Sequence, residues 1–393
     1  MQVAKRLSRI PPYPFARWSA HIRELVREGL DIIRLDIGNP DLPPTQAVIE
    51  ALCQSAHRDD HHGYSSFRGL DALRGAIASY YARRFGIQIN PDTQALPLLG
   101  SKEGIVHMAQ ACLDPDDIAL VPDPGYAPYM MGAILAGAET YAFPLLPDRG
   151  FLPDLSTIPA DIATRARLMW LNYPNNPTGG VADLNFFEEA VEFARRYDIL
   201  LCHDAPYSDV TFEEYVAPSI LQIPGAEDVA VEFNSLSKSC NMAGWRVGMA
   251  VGNADAEAAL GQVKTNVDSG AFRPVQEAAI VALSTSPEWI SQRNTIYERR
   301  LHIITRALES SGLETTRPRA TLYAWARIPQ GWTSETFGME LLRKTGVALA
   351  PGSFFGPAGE GFIRVSAVAP EPRLREAMDR MKQFAMSATP PKK

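Results

Sequence analysis

Cysteine is scarce in this chain. Cys53, Cys112, Cys202 and Cys240 are the only four in 393 residues, and no two share a CxxC spacing. That pattern suits reduced thiols in a cytoplasmic protein better than a disulfide framework or a thiolate zinc site. Positive charge is not in excess. Lys and Arg number 38 against 45 Asp and Glu, a net charge of −7 with no basic block or stripe, which argues against nucleic acid as a partner. No run is long and apolar enough to cross a bilayer. The basic residues near the N-terminus are not followed by the apolar core of a secretory signal. Internal repeats and low-complexity segments are also lacking. What remains is an ordinary globular composition, 46% hydrophobic and 21% charged, at a length that suits two domains.

Prolines 11, 12 and 14 argue against a helix over 10–15, although Tyr13, Phe15 and Trp18 suggest that this arm packs on something. The pattern predicts a helix over 16–28 closed by Gly29, then a strand over 32–37 running into the turn Gly38-Asn39-Pro40-Asp41. A helix over 45–57 follows. His61 and His62 are adjacent, but no further ligands stand at useful spacing, so no metal is expected. The next helix carries Leu70, Leu73, Ile77 and Tyr81 on one face and is expected to be interrupted at Gly75. From residue 95 strands and helices alternate, with strands predicted over 95–99, 118–121, 140–143, 167–171, 199–202, 229–233 and 247–251. This predicts an α/β fold with a mainly parallel seven-stranded sheet flanked by helices.

After Gln276 the character changes. A charged helix with an apolar stripe is predicted over 287–311, then a strand over 321–328 and a helix over 335–345. Short strands follow over 347–350 and 361–368, then a last helix over 371–384 and a frayed tail. The expected layout is an N-terminal arm with part of a small domain over 1–40, a large domain over 41–280, and a smaller α+β domain over 281–393.

The carboxyl ends of parallel strands form a ligand crevice, and here those ends carry chemistry. The stretch Asn234-Ser-Leu-Ser-Lys-Ser-Cys-Asn-Met-Ala-Gly-Trp-Arg246 places Lys238 between Ser235 and Ser237 on one side and Arg246 on the other. Such a lysine suits an amine that must meet a carbonyl, beside a guanidinium that must meet a phosphate. Other predicted strand ends deliver Gly100-Ser101-Lys102, Asp123-Pro-Gly-Tyr126, Asn175-Asn176-Pro-Thr-Gly179 and Asp204-Ala-Pro-Tyr207, and Phe362-Ile-Arg364-Val-Ser366 lies far downstream.

In this order and over nearly the whole chain, the set resembles the fold type I, pyridoxal 5′-phosphate-dependent class I and II aminotransferases. The resemblance implies that 41–280 is the cofactor-binding domain. It implies that Lys238 bonds to the cofactor aldehyde and, once freed, carries a proton to and from the substrate. Asp204 would sit at the pyridine nitrogen and keep it protonated; without Tyr207 three positions on, it would read as a turn residue. Tyr207 and Asn176 would bond the cofactor's phenolic oxygen, and Tyr126 would stack on the ring. Ser101, Ser235, Ser237, Arg246 and the helix start at Lys102 would bind the phosphate, with Lys102's own side chain left to solvent. Arg364, with the Gly38 backbone nearby, would clamp the substrate carboxylate. Tyr64 would reach the partner's phosphate across a homodimer interface.

Within the family, residues 96–105, 121–126, 172–179 and 264–272 and the arm Pro11-Pro-Tyr-Pro-Phe-Ala16 resemble the LL-diaminopimelate aminotransferases. That implies an amino acid donor and 2-oxoglutarate as small-molecule substrates. Pro206 and Cys240 depart from the group's usual residues, and a thiol at 240 in place of an aromatic is expected to reshape the pocket wall. Aspartate, alanine and aromatic transaminases are the alternatives, with a lyase on the same fold behind them. A ligand sensor fused to a helix-turn-helix is not expected, because the stretch ahead of the strand at Ile32 is too short to hold one.

Overall fold

The computed structural model describes residues 3–387 together with 389 and 390, and the tail expected to fray lies largely outside the described residues. After the two-residue strand β1 (Ile33–Arg34), seven strands build one sheet: β2 (Ala95–Leu98), β3 (Ile118–Asp123), β4 (Glu139–Pro144), β5 (Ala166–Asn172), β6 (Leu200–Asp204), β7 (Ala230–Ser235) and β8 (Gly248–Gly252). Their order is β2-β8-β7-β6-β5-β3-β4. Strand β8 runs antiparallel to both neighbours, and the other pairings are parallel.

Side chains on a strand alternate between faces, and this sheet is covered on both. Along β5, Met169 and Leu171 enter the core beneath the helices Asp71–Phe85, Leu184–Tyr197 and Arg273–Leu283, whereas Leu168 and Trp170 enter the core beneath Ser101–Cys112 and Ala254–Val267. Burial on both faces explains why residues 168–171 of β5 read as an unbroken apolar run.

A second sheet follows the long helix Pro287–Ser310. It contains β9 (Glu314–Thr315), β10 (Tyr323–Arg327), β12 (Ala350–Pro351) and β13 (Phe362–Ser366) in the order β12-β13-β10-β9, all antiparallel, while β11 (Val347–Ala348) pairs in parallel with β1. The N-terminal segment therefore packs on residues more than 300 positions away.

Four local expectations need correction. The first main helix begins at Pro14 rather than Ala16, because a proline at the first helical position forfeits an N–H that has no partner there. The expected strand over 32–37 shortens to Ile33–Arg34, and beyond it Leu35 O and Ile37 O accept from the Ser366 hydroxyl. The helix Asp71–Phe85 runs through Gly75 unbroken. A mid-helix glycine costs about 1 kcal/mol against alanine, and the burial of Leu73, Ile77 and Tyr81 exceeds that. Finally, Ala254–Val267 and Arg273–Leu283 are helices where none was predicted, their apolar period blurred by alanines.

Candidate active site

A cavity of about 420 Å³ opens at the carboxyl ends of the large sheet's parallel strands, facing β13, β10 and the N-terminal arm. Strand β6 ends in Asp204, and β5 runs out through Asn172 to Asn176. Strand β7 ends at Ser235, whose hydroxyl caps the short helix Leu236–Ser239 by accepting from Ser237 N (3.2 Å). That cap aims Lys238 into the cavity. Gly38, Ser101, Lys102, Tyr126, Asn176, Asp204, Tyr207, Ser235, Ser237, Lys238, Arg246 and Arg364 all line it. Tyr64 does not, and its side chain stands 92% exposed on the surface.

Lys238 Nζ donates to Gly38 O. Burial pulls its ammonium below the usual lysine range, partly opposed by Tyr323 and assisted by Arg364 and Arg246. Asp204 is buried, and burial pushes its carboxyl up to about 6, against the pull of a hydrogen bond from Tyr129 and of His203 beside it. Its Oδ2 accepts from Tyr129 Oη at 2.6 Å, while Oδ1 is buried with no hydrogen-bond partner. Tyr207 and Tyr323 share a hydroxyl–hydroxyl bond of 2.8 Å, and burial holds the Tyr207 phenol well above its usual range.

Arg364 donates to Asn176 Oδ1 (2.6 Å) and to Asp36 O (2.7 Å), while its buried Nε has no partner. Its guanidinium lies 4.1 Å from the Tyr323 ring centroid and 4.7 Å from that of Phe355, which fixes its plane. Arg246 has a left-handed backbone (φ 58°) and donates to Ala243 O (2.9 Å) and Leu99 O (3.4 Å). A Cβ at Gly100 would overlap that guanidinium, so the position needs glycine. Lys102 is exposed, its ammonium 5.0 Å from the Tyr13 ring centroid.

The model of the family described as "Aminotransferase class I and II" matches residues 30–381. The chain belongs to the class I and II aminotransferases. It is 48% identical over 383 residues, 98% of both chains, to an LL-diaminopimelate aminotransferase of Moorella thermoacetica. Among solved structures it resembles substrate-bound BacF of Bacillus subtilis, with a TM-score of 0.94 and 37% identity over 98% of both chains. An aspartate aminotransferase of Thermotoga maritima superposes with a TM-score of 0.92 at 28% identity, covering 98% of this chain and all of that one. The enzyme is a transaminase of fold type I, and its α/β architecture with a mainly parallel seven-stranded sheet is the one expected.

Members of this aminotransferase family use pyridoxal 5′-phosphate, and the residues here suit that group. The unpaired Asp204 Oδ1 matches a cationic ring N–H. The desolvated Lys238 amine matches an aldehyde. Ser101, Ser235, Ser237 and Arg246 present donors where Gly100 leaves room.

Several residues of the site escaped the sequence reading. Tyr129, behind the cavity wall, stands three positions after Tyr126, and that spacing was the signal available for it. Asn172 donates to Asp204 O (2.7 Å) and accepts from Asn176 N (2.8 Å), so it fixes both. Tyr323, Tyr13, Phe15 and Phe355 reach the cavity only through tertiary packing. Cys240 corrects an expectation. It is buried on the far side of its helix turn, with Sγ 3.5 Å from Ala282 O, and does not line this cavity. Pro206 does line it.

Proposed function

We propose that this chain is a pyridoxal 5′-phosphate-dependent transaminase that passes the amino group of LL-diaminopimelate to 2-oxoglutarate. The observation that carries the chemistry is the pairing of unlike groups, the half-buried Lys238 amine and the buried, half-paired Asp204 carboxylate, in one cavity with Arg364. The substrate rests on the similarity to the LL-diaminopimelate aminotransferases of Moorella thermoacetica and Aquifex aeolicus, 48% and 44% identical over nearly the full chain.

When bound, the cofactor supplies an aldehyde that takes up the amino group and a cationic ring that withdraws electrons from the substrate's α-carbon. The chain's own residues do the rest. Lys238 Nζ holds the cofactor and then moves a proton on and off the α-carbon, a task that its burial-lowered affinity for protons favours. Asp204, ionised above about pH 6, keeps the ring nitrogen protonated. Tyr207 donates to the phenolic oxygen. Asn176 spends Oδ1 on Arg364, so its Nδ2 is the end left to donate. Arg364 holds the α-carboxylate and so fixes which α-carbon bond faces Lys238. Tyr126 covers the ring, and Ser101, Ser235, Ser237, Arg246 and the backbone at Lys102 hold the phosphate.

The working unit on this reading is a homodimer. Tyr64, Phe67, Val267 and Phe272 are exposed at 92%, 52%, 63% and 48%, and Ser65 Oγ donates to Ala271 O, so the two segments adjoin. An exposed apolar patch of this kind suits a second copy, into whose site Tyr64 would reach. Residues 41–280 form the cofactor-binding domain and 281–393 the smaller one, with 1–40 shared. Four free cysteines, one of them exposed, suit a reducing cytoplasm.

A panel of amino donors with 2-oxoglutarate, scored for glutamate, tests the assignment. LL-diaminopimelate is expected to be the best donor. If alanine or aspartate works and LL-diaminopimelate does not, the substrate is wrong and the class stands. Ammonia or pyruvate released without an oxo-acid acceptor would indicate elimination instead.

A further inference from the structure

The side chains behind the phosphate-binding turn carry an inference of their own. Lys264 is only 2% exposed, yet its ammonium is fully engaged: Nζ donates to Glu103 Oε1 (2.9 Å) and to Asp268 Oδ1 and Oδ2 (2.9 and 2.7 Å). With His107, these two acids have the separations of a metal cluster, but the lysine ammonium already takes the place of the cation. The arrangement is an ion relay, and both of its ends are anchored in backbone.

At one end, Glu103 Oε2 accepts from Leu99 N (3.0 Å). The carbonyl of the same residue accepts from Arg246 Nη2 (3.4 Å). Leu99 directly precedes the Gly100-Ser101 turn, so its two backbone groups are held by the phosphate-binding arginine and by the relay. At the other end, Asp268 Oδ1 accepts from Gly270 N (2.7 Å). Gly270 lies against Ser66 and Ser65, and Gln276 Nε2 bridges Ser65 Oγ (2.9 Å) and Ala271 O (2.7 Å). Ser65 follows Tyr64, the residue assigned to the partner's phosphate.

We infer that Lys264, Glu103 and Asp268 are positioning residues that couple the set of the Leu99-Ser101 phosphate turn to the seating of the surface loop carrying Tyr64. The inference rests on the reading that this turn grips the cofactor phosphate. Its chemistry is the fixing of one backbone segment by a buried ion chain. Removing the lysine leaves two half-buried carboxylates facing each other, which turns Glu103 away from Leu99 N and loosens the turn. Removing the far acid slackens the same chain without touching the turn.

The test compares two probes on the apo protein, pyridoxal 5′-phosphate and pyridoxal, titrated by tryptophan fluorescence. The ratio of their dissociation constants measures the phosphate grip alone. In Lys264→Met and in Asp268→Asn the preference for the phosphorylated probe is expected to fall about tenfold, the loss of roughly one charge-assisted contact, with pyridoxal affinity unchanged. Arg246→Ala serves as the control and removes most of the preference. If it does so while both relay variants keep the parental ratio, the relay is overturned and the phosphate turn stands. Equal weakening of both probes also overturns it, since that reports general loosening. No preference in the parent protein would remove the phosphate turn and the relay with it. Should Lys264→Met fail to fold, Asp268→Asn, at the partly exposed end, decides the matter.

Discussion

Asp204 and Glu232 are buried carboxylates on neighbouring strands, with opposite degrees of completion. Glu232 is saturated. Its Oε1 accepts from Tyr81 Oη (2.8 Å), and its Oε2 lies 3.0 Å from His203 Nδ1, 2.7 Å from Ser219 Oγ and 3.2 Å from Ile220 N. His203 in turn spends its other nitrogen on Tyr173 O (2.9 Å). Asp204, the next residue along β6, points to the other face and keeps one oxygen bare. Both residues are buried, but only Asp204 borders the cavity. A saturated buried acid fastens structure, whereas a half-saturated one holds a place for something else.

The largest expected effect belongs to the cavity side. Lys238→Ala should lower glutamate formation by about ten-thousand-fold while far-UV circular dichroism stays parental, since it removes both the anchor and the proton carrier. Turnover near the parental rate would end the assignment. The comparison itself is broken or sharpened by a pair. Asp204→Asn should cost about 100- to 1000-fold in kcat, as for one preorganised electrostatic partner, with little change in denaturation midpoint. Glu232→Gln should do the reverse, losing about 3 kcal/mol of stability because a buried ionic network is broken, with kcat per folded molecule intact. Matching profiles for the two variants would erase the distinction.

Much of this was legible in the chain because it is local. Gly100-Ser101-Lys102, Asn175-Asn176-Pro177, Asp204-Ala-Pro-Tyr207 and Ser235-Leu-Ser-Lys238 each sit at a strand end, where a few consecutive residues both turn the backbone and present donors. The rest is hidden for physical reasons. Tyr129 meets Asp204 across 75 positions, from within an apolar helix where a tyrosine reads as core. Tyr323 lies in a buried strand and declares itself only against Tyr207 and Arg364. Cys240 follows Lys238 by two residues, yet a single helical turn carries it to the far side.

Glu257 gives an effect that is read through pH. It is fully buried, neither oxygen has a partner, and burial pushes its carboxyl from 4.5 up to about 8, with Arg68 pulling the other way. The folded state thus holds this proton more tightly than the unfolded chain. Stability from this group is present in full below pH 4.5 and drains away as pH rises to about 8, at about 1.4 kcal/mol per pH unit. Glu257→Gln should flatten that decline in urea unfolding of the apo protein at pH 5, 6.5 and 8. Parallel slopes for variant and parent would mean that Glu257 ionises at no cost. Glu257 also limits the lesson of the first pair, because a bare carboxylate marks a ligand's place only where a cavity adjoins it, and this one lies outside the cofactor cavity.

The bond from Arg364 to Asp36 O joins residues 328 positions apart, and the same guanidinium reaches Asn176 across 188. During synthesis, residues 36 and 176 leave the ribosome long before their common partner exists. The nascent chain therefore has Lys238 made while Arg364, proposed above to hold the carboxylate, is missing. Loop closure on that scale is slow, and on the proposed roles a chain stopped before residue 364 would have the anchoring lysine without the means to hold a substrate in register. On that reading, competence arrives only with Arg364, all at once.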